Sequence, residues 1–174
     1  MLAGNRMKWA IPAVLVGVLL ISGCGGGGSS SPSPTTGGEP LTKQELISQG
    51  DAICGQALDK FQQLQQNPPT TAEGAATLTQ QLLEITETEL AQLRDLNPPA
   101  SVKSSMDAYV KSLDKNVAVL KQGLKAAQQN DASAYAKAQA KTVSQQVKRL
   151  SLARAVGFKE CSRPAGTAPG SASG

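Results

Sequence analysis

From Leu41 onward the chain repeats one arrangement four times: a run of about 25 residues with apolar side chains three or four apart, closed by turn-forming or helix-stopping residues. The first run opens with a capping box, Thr42 to Glu45, flanked by Leu41 and Leu46 as a hydrophobic staple. Ile47, Ile53, Cys54, Ala57, Leu58, Phe61 and Leu64 follow, until Asn67-Pro68-Pro69 stops the pattern. A second box, Thr70 to Glu73, starts the next run, with Leu78, Leu82, Ile85, Leu93 and Leu96 on one face and Asn97-Pro98-Pro99 as its end. In the third, Met106, Val110, Leu113, Val117, Leu120, Leu124 and Ala127 alternate spacings of four and three, the seam of a helix in a bundle. The fourth begins near Asp131, uses the smaller set Ala136, Ala140, Val143, Val147 and Leu150, and closes at Gly157-Phe158, where glycine suits a left-handed cap.

Four helices joined by short turns predict an all-α fold, an antiparallel up-down four-helix bundle over residues 41–163. Composition agrees, because aromatic residues are only 3% of the 174 and the chain is skewed toward Ala, Gln, Lys and Leu. Within this frame Glu84, Glu87 and Glu89 are expected on an exposed face of the second helix, and Tyr109 and Tyr135 at the rim of the core.

The apolar run from Trp9 to Ile21 is different in kind. It follows Arg6 and Lys8, and it is too short to span a hydrocarbon core that needs about 20 helical residues. It ends in Ile21-Ser22-Gly23-Cys24, which resembles the lipobox of bacterial lipoprotein precursors. That resemblance implies a signal peptide over 1–23, removed before Cys24, and a diacylglycerol-modified Cys24 as the new N-terminus. It places the product on the extracytoplasmic face of a cell membrane or outer membrane, with lipid as its anchor. Residues 24–40 then form a tether, since GGGGSSSPSPTTGGEP contains no apolar residue to bury and would reach about 20–24 Å as a flexible coil. Residues 164–174, again Pro, Gly, Ala and Ser, are expected as a disordered tail.

Three cysteines are an odd number for an exported protein, and lipidation of Cys24 leaves Cys54 and Cys161 to pair. An up-down bundle brings the start of helix one and the end of helix four to the same end. The pairing requires the tail beyond Gly157 to fold back along helix one, where Gly50 and Gly55 allow close approach. Charge is divided between the two hairpins: residues 39–95 carry nine acidic and three basic residues, residues 103–163 four acidic and twelve basic. Lys103, Lys111, Lys121, Lys125, Lys137, Lys141, Lys148, Arg149 and Arg154 are the candidates to face anionic headgroups, an acidic envelope polymer or an envelope protein. A solvated face attracted to the acidic hairpin is the simpler account of the same charges.

Catalytic constellations are thin. The chain contains no histidine, which removes His-based triads, Glu-x-x-His di-iron sites and His-containing zinc sites. Ser112 and Lys115 match Ser-x-x-Lys without the partner motifs that give it meaning. No catalytic residue, metal ligand or cofactor is assigned, and export argues against nucleic acid as a partner. The expected role is a non-enzymatic interaction or structural function in the cell envelope. The alternative is a carrier of a small hydrophobic or anionic ligand in the bundle core, for which the small residues of helix four and Gly123 would leave room.

Overall fold

A computed structural model describes residues 39–164. The expected signal peptide 1–23, Cys24, the expected tether up to residue 38 and the expected tail over residues 165–174 lie outside the described residues. Four helices, α1 (Lys43–Gln65), α2 (Ala72–Arg94), α3 (Lys103–Gln128) and α4 (Ala132–Val156), form the expected all-α four-helix bundle, followed by a single 3-10 turn, Glu160–Ser162. None of these helices is long and apolar enough to cross a membrane.

The helix ends show which sequence signals act. Thr42 caps α1 as predicted: its hydroxyl accepts from the Glu45 N–H at 3.2 Å, while the Glu45 carboxylate accepts from the Thr42 N–H at 2.9 Å. Those hydrogen bonds hold the Glu45 carboxyl below the usual carboxylate range. The box at the head of α2 does not form. Thr71, not Thr70, is the cap, and its hydroxyl accepts from Gly74 N–H at 3.1 Å. With glycine three residues on there is no side chain to complete a box, and Glu73 instead sits in the first turn, at the positive end of the helix dipole. Between α3 and α4 the chain turns tightly through Asn130, whose φ of 56° is one that asparagine tolerates.

Packing centres on α3, which lies against both α2 and α4, so its buried surface is wider than the seam. Met106, Leu113, Val117 and Ala127 are buried as expected, and Tyr109, Asn116, Val119, Gly123 and Ala126 join them. On α2 the buried face is Thr79, Leu83, Thr86, Glu89, Leu90 and Leu93, whereas Leu78, Leu82, Ile85 and Leu96 are only half-buried. The threonines can face inward because Thr79 and Thr86 donate their hydroxyls to the carbonyls of Ala75 and Leu82, at 2.7 and 2.8 Å, and present their methyl groups to the core.

α4 reverses the expectation. Ala138, Ala153 and Val156 are its buried residues, while Ala136 and Ala140 are exposed and Val143 and Val147 are 66% and 77% exposed. Of the stripe read as core-facing, Ala136, Ala140, Val143 and Val147 therefore lie on the outer face and only Leu150 is half-buried, while Gln145, Gln146 and Arg149 turn inward, each half-buried. Shape accounts for the choice at one end: Ala138 packs where α4 passes Gly123, a position at which an added methyl would already touch Ala138. Small residues there let α3 and α4 approach closely.

α1 packs chiefly on α2, and the space between α1 and α4 is bridged by the C-terminal turn, which contacts both. Gly157 ends α4 with φ 111°, a conformation that glycine adopts at no steric cost. Phe158 N–H then donates to Ala153 C=O at 3.1 Å, and Gly157 N–H to Arg154 C=O at 3.0 Å. This reversal sends the Phe158 ring onto Gly50 of α1, where any side chain would overlap it, and edge-on to Tyr109 with ring centroids 5.8 Å apart. Asp51 accepts from the N–H groups of Lys159 and Glu160 at 2.8 and 2.9 Å, and Cys161 completes a disulfide with Cys54, Cα atoms 5.0 Å apart. Of the two glycines expected to admit the tail, Gly50 does so. Gly55 meets nothing within contact distance.

Candidate functional site

Against this disulfide the bundle core is polar. Glu89, from α2, is 8% exposed and points at the staple instead of solvent, which corrects its expected place on an outer carboxylate face. Its Oε1 lies 3.4 Å from Cys54 Sγ and 3.5 Å from the Tyr109 hydroxyl, which donates to it. A disulfide sulfur carries no proton, so the contact with Cys54 is a hydrogen bond only when Glu89 is protonated and donates. Burial favours that state: it pushes the Glu89 carboxyl up to about 7, against the opposing pull of Arg149 and Tyr109. Tyr109, expected at the rim, is among the most deeply buried large side chains, and burial with the nearby Glu89 raises its hydroxyl well above the ordinary tyrosine range.

Arg149 reaches this cluster from α4. It therefore leaves the set of surface cations: its guanidinium faces Glu89 and Tyr109, and burial lowers its pKa while those two groups raise it. A cavity of about 80 Å³ lies among Cys54, Glu89, Tyr109, Asn116, Arg149 and Cys161. Two buried polar atoms of its lining, Asn116 Oδ1 and Arg149 Nη1, have no hydrogen-bond partner. Phe61 and Leu150 line it from α1 and α4. The site joins a buried cation, a carboxyl of raised pKa and an unsatisfied amide oxygen. It is too small for a drug-sized molecule, whose pockets run to about 300–1,000 Å³.

A second feature lies outside. Of the remaining predicted surface cations, Lys103, Lys111, Lys121, Lys125, Lys137, Lys141, Lys148 and Arg154 are all exposed. Attraction between the hairpins engages few of them. Lys121 pairs with Glu87 at 2.7 Å and Arg94 with Asp114 at 2.5 Å, while Lys103 pairs with Asp107 within α3. Lys111, Lys115 and Lys148 line a groove of about 520 Å³ between α3 and α4, floored by Ala108, Gln145 and Leu152, and none of the three is in an ion pair among the described residues.

Among the described residues no three Cys, Asp or Glu side chains come together in a metal-binding group. The chain matches no family model, no curated protein and no solved structure.

Sequence reasoning missed Glu89, Asn116 and the inward turn of Arg149. One signal was available. Counting back from Val156 in threes and fours reaches Ala153, Arg149, Gln145 or Gln146, Thr142 and Ala138, the inward face, whose C-terminal end the Gly157-Phe158 cap fixes by seating Phe158 on Gly50 of α1.

Proposed function

We propose that this chain is a lipid-anchored extracytoplasmic protein, held by Cys24, whose α3–α4 face meets an anionic membrane surface in a non-enzymatic role. The groove of unpaired Lys111, Lys115 and Lys148 is the observation that carries the reading. Each lysine close to an anionic leaflet contributes about 1 kcal/mol. The lipobox resemblance and the apolar-poor tether support an anchor that keeps this face within reach of its target.

Mass spectrometry of the native protein tests the anchor by looking for a diacylglycerol-modified Cys24 as the first residue; an unmodified chain beginning elsewhere overturns it. For the surface, a Cys24→Ser chain removes the lipid contribution. It is expected to sediment with vesicles containing phosphatidylglycerol but not with phosphatidylcholine vesicles, and to lose binding in high salt and in the Lys111→Glu/Lys115→Glu/Lys148→Glu variant. Equal binding to both vesicles, or no effect of the triple substitution, would sink the proposal.

A carrier role is the second reading, and the cavity beside the disulfide favours it in a restricted form. At about 80 Å³ and with a polar lining, it suits a small polar ligand and not a large hydrophobic one.

A further inference from the structure

We propose that the cavity beside the Cys54–Cys161 disulfide is a binding site for a small monocarboxylate bearing a neighbouring hydroxyl or amino group, held by Arg149 and Asn116. The inference rests on the carrier reading above and assigns its ligand class.

Buried polar atoms in folded proteins nearly always find a partner, and two atoms lacking one line the same cavity. Asn116 is 7% exposed, yet its Oδ1 accepts from nothing. Arg149 Nη1 is a charged donor in the same position, and a guanidinium matches a carboxylate geometrically and electrostatically. One ligand answers both atoms if it carries an acceptor for Arg149, strongest when anionic, and a donor for Asn116 Oδ1. An inorganic halide has the first and lacks the second. The volume of about 80 Å³ has room for about three to six water-sized groups, the size of a 2-hydroxy or 2-amino acid of two or three carbons.

Charge in the cavity selects an anion. Arg149 is the cation aimed into it, and Glu160 and Arg163 on the C-terminal turn form an ion pair with each other. From α1, Asp51 is engaged by the Lys159 and Glu160 amides; from α3, the Tyr109 hydroxyl stays protonated. Glu89 of α2 is the remaining charge-bearing group, and it is held partly neutral near pH 7 by its burial. A bound carboxylate favours the protonated form of Glu89 further, because two adjacent anions repel, so binding takes up a proton and strengthens as pH falls from 8 toward 6.

The test is titration calorimetry of the full chain with lactate, glycine, propionate and acetamide, in buffers of different ionisation enthalpy. Lactate or glycine is expected to bind saturably and about tenfold more tightly than propionate, which lacks the donor for Asn116. Net proton uptake is expected at pH 7. Arg149→Met should abolish the binding, and Asn116→Leu should reduce lactate to the level of propionate. Both variants are checked for an intact disulfide and native helicity, and magnetic resonance shifts at the Asn116 side chain in the unaltered chain provide an independent readout. If acetamide binds and the carboxylates do not, the ligand class is wrong while the carrier reading stands. If no probe binds and the cavity holds water only, both are overturned.

Discussion

At the end of the bundle where α1 begins and α4 stops, large side chains and a covalent link converge: Leu46, Leu93, Met106, Tyr109, Val156 and Phe158 pack beside the Cys54–Cys161 staple. At the opposite end, where α3 turns into α4, the buried residues are small, with Gly123, Ala126, Ala127, Ala138 and Thr79 closing the helices together without any cross-link. The first end has the apolar area to tolerate a polar cavity, because its rings and aliphatic side chains offset the desolvation of Glu89 and Arg149. The second has close approach and little area, which makes it the end where local opening requires the least free energy. Stability and the candidate site therefore share one end, and the difference can be attacked from three sides.

Removing the staple should have the largest effect. Closing a loop of 107 residues stabilises by up to about 4–5 kcal/mol through restriction of the unfolded chain. The Cys54→Ser/Cys161→Ser variant should lose that amount in urea unfolding and become insensitive to reductant. Its amide exchange near Leu46 and Val156 should speed up toward that of the far end. A loss below about 1 kcal/mol would mean that packing alone distinguishes the two ends.

Glu89→Gln comes next. The native carboxyl, raised from its ordinary value of 4.5 to about 7, binds a proton that the unfolded chain releases across that interval. Its contribution is fully present below the ordinary value, declines as pH rises through the interval, and is gone above about 7. Glutamine removes this slope. At pH 8 the variant should exceed the unaltered protein by up to about 3 kcal/mol, with little difference at pH 4. Urea midpoints measured from pH 4 to 8 would show it, and parallel curves for the two proteins would place Glu89 in solvent.

The smallest effect sharpens the reading of α4. Val143→Ser/Val147→Ser should change stability by no more than about 0.5 kcal/mol per site, because both side chains are exposed. Were this stripe in the core, as its spacing predicts, the pair would cost several times more in thermal or urea unfolding.

That contrast shows what sequence could convey. The α3 seam was legible because Met106, Leu113 and Val117 are large and apolar, and no other face of α3 competes with them. On α4 two stripes compete. Ala136, Ala140, Val143 and Val147 read as more apolar than Ala138, Thr142, Gln145 and Arg149, yet the second stripe is inward because Gly123 admits Ala138 and the Gly157-Phe158 cap fixes the other end. The disulfide was legible from counting cysteines, and the fold-back from Gly157 and Gly50. The candidate site was not. Glu89 stands three residues after Thr86 and four before Leu93, on their face of α2, but a glutamate beside Glu84 and Glu87 reads as solvent-facing until Tyr109 and Arg149 are seen across from it.

The position of the staple also decides how the domain responds to mechanical load. A pull applied between residue 39 and residue 164 passes from Cys54 directly to Cys161, and the chain between them, a sequence separation of 107, is shielded from extension. Only the short segments outside the two cysteines can be drawn out. Reducing the disulfide would release about 360 Å of additional contour length, at about 3.3–3.6 Å per residue, turning a short, stiff coupling into a long compliant one.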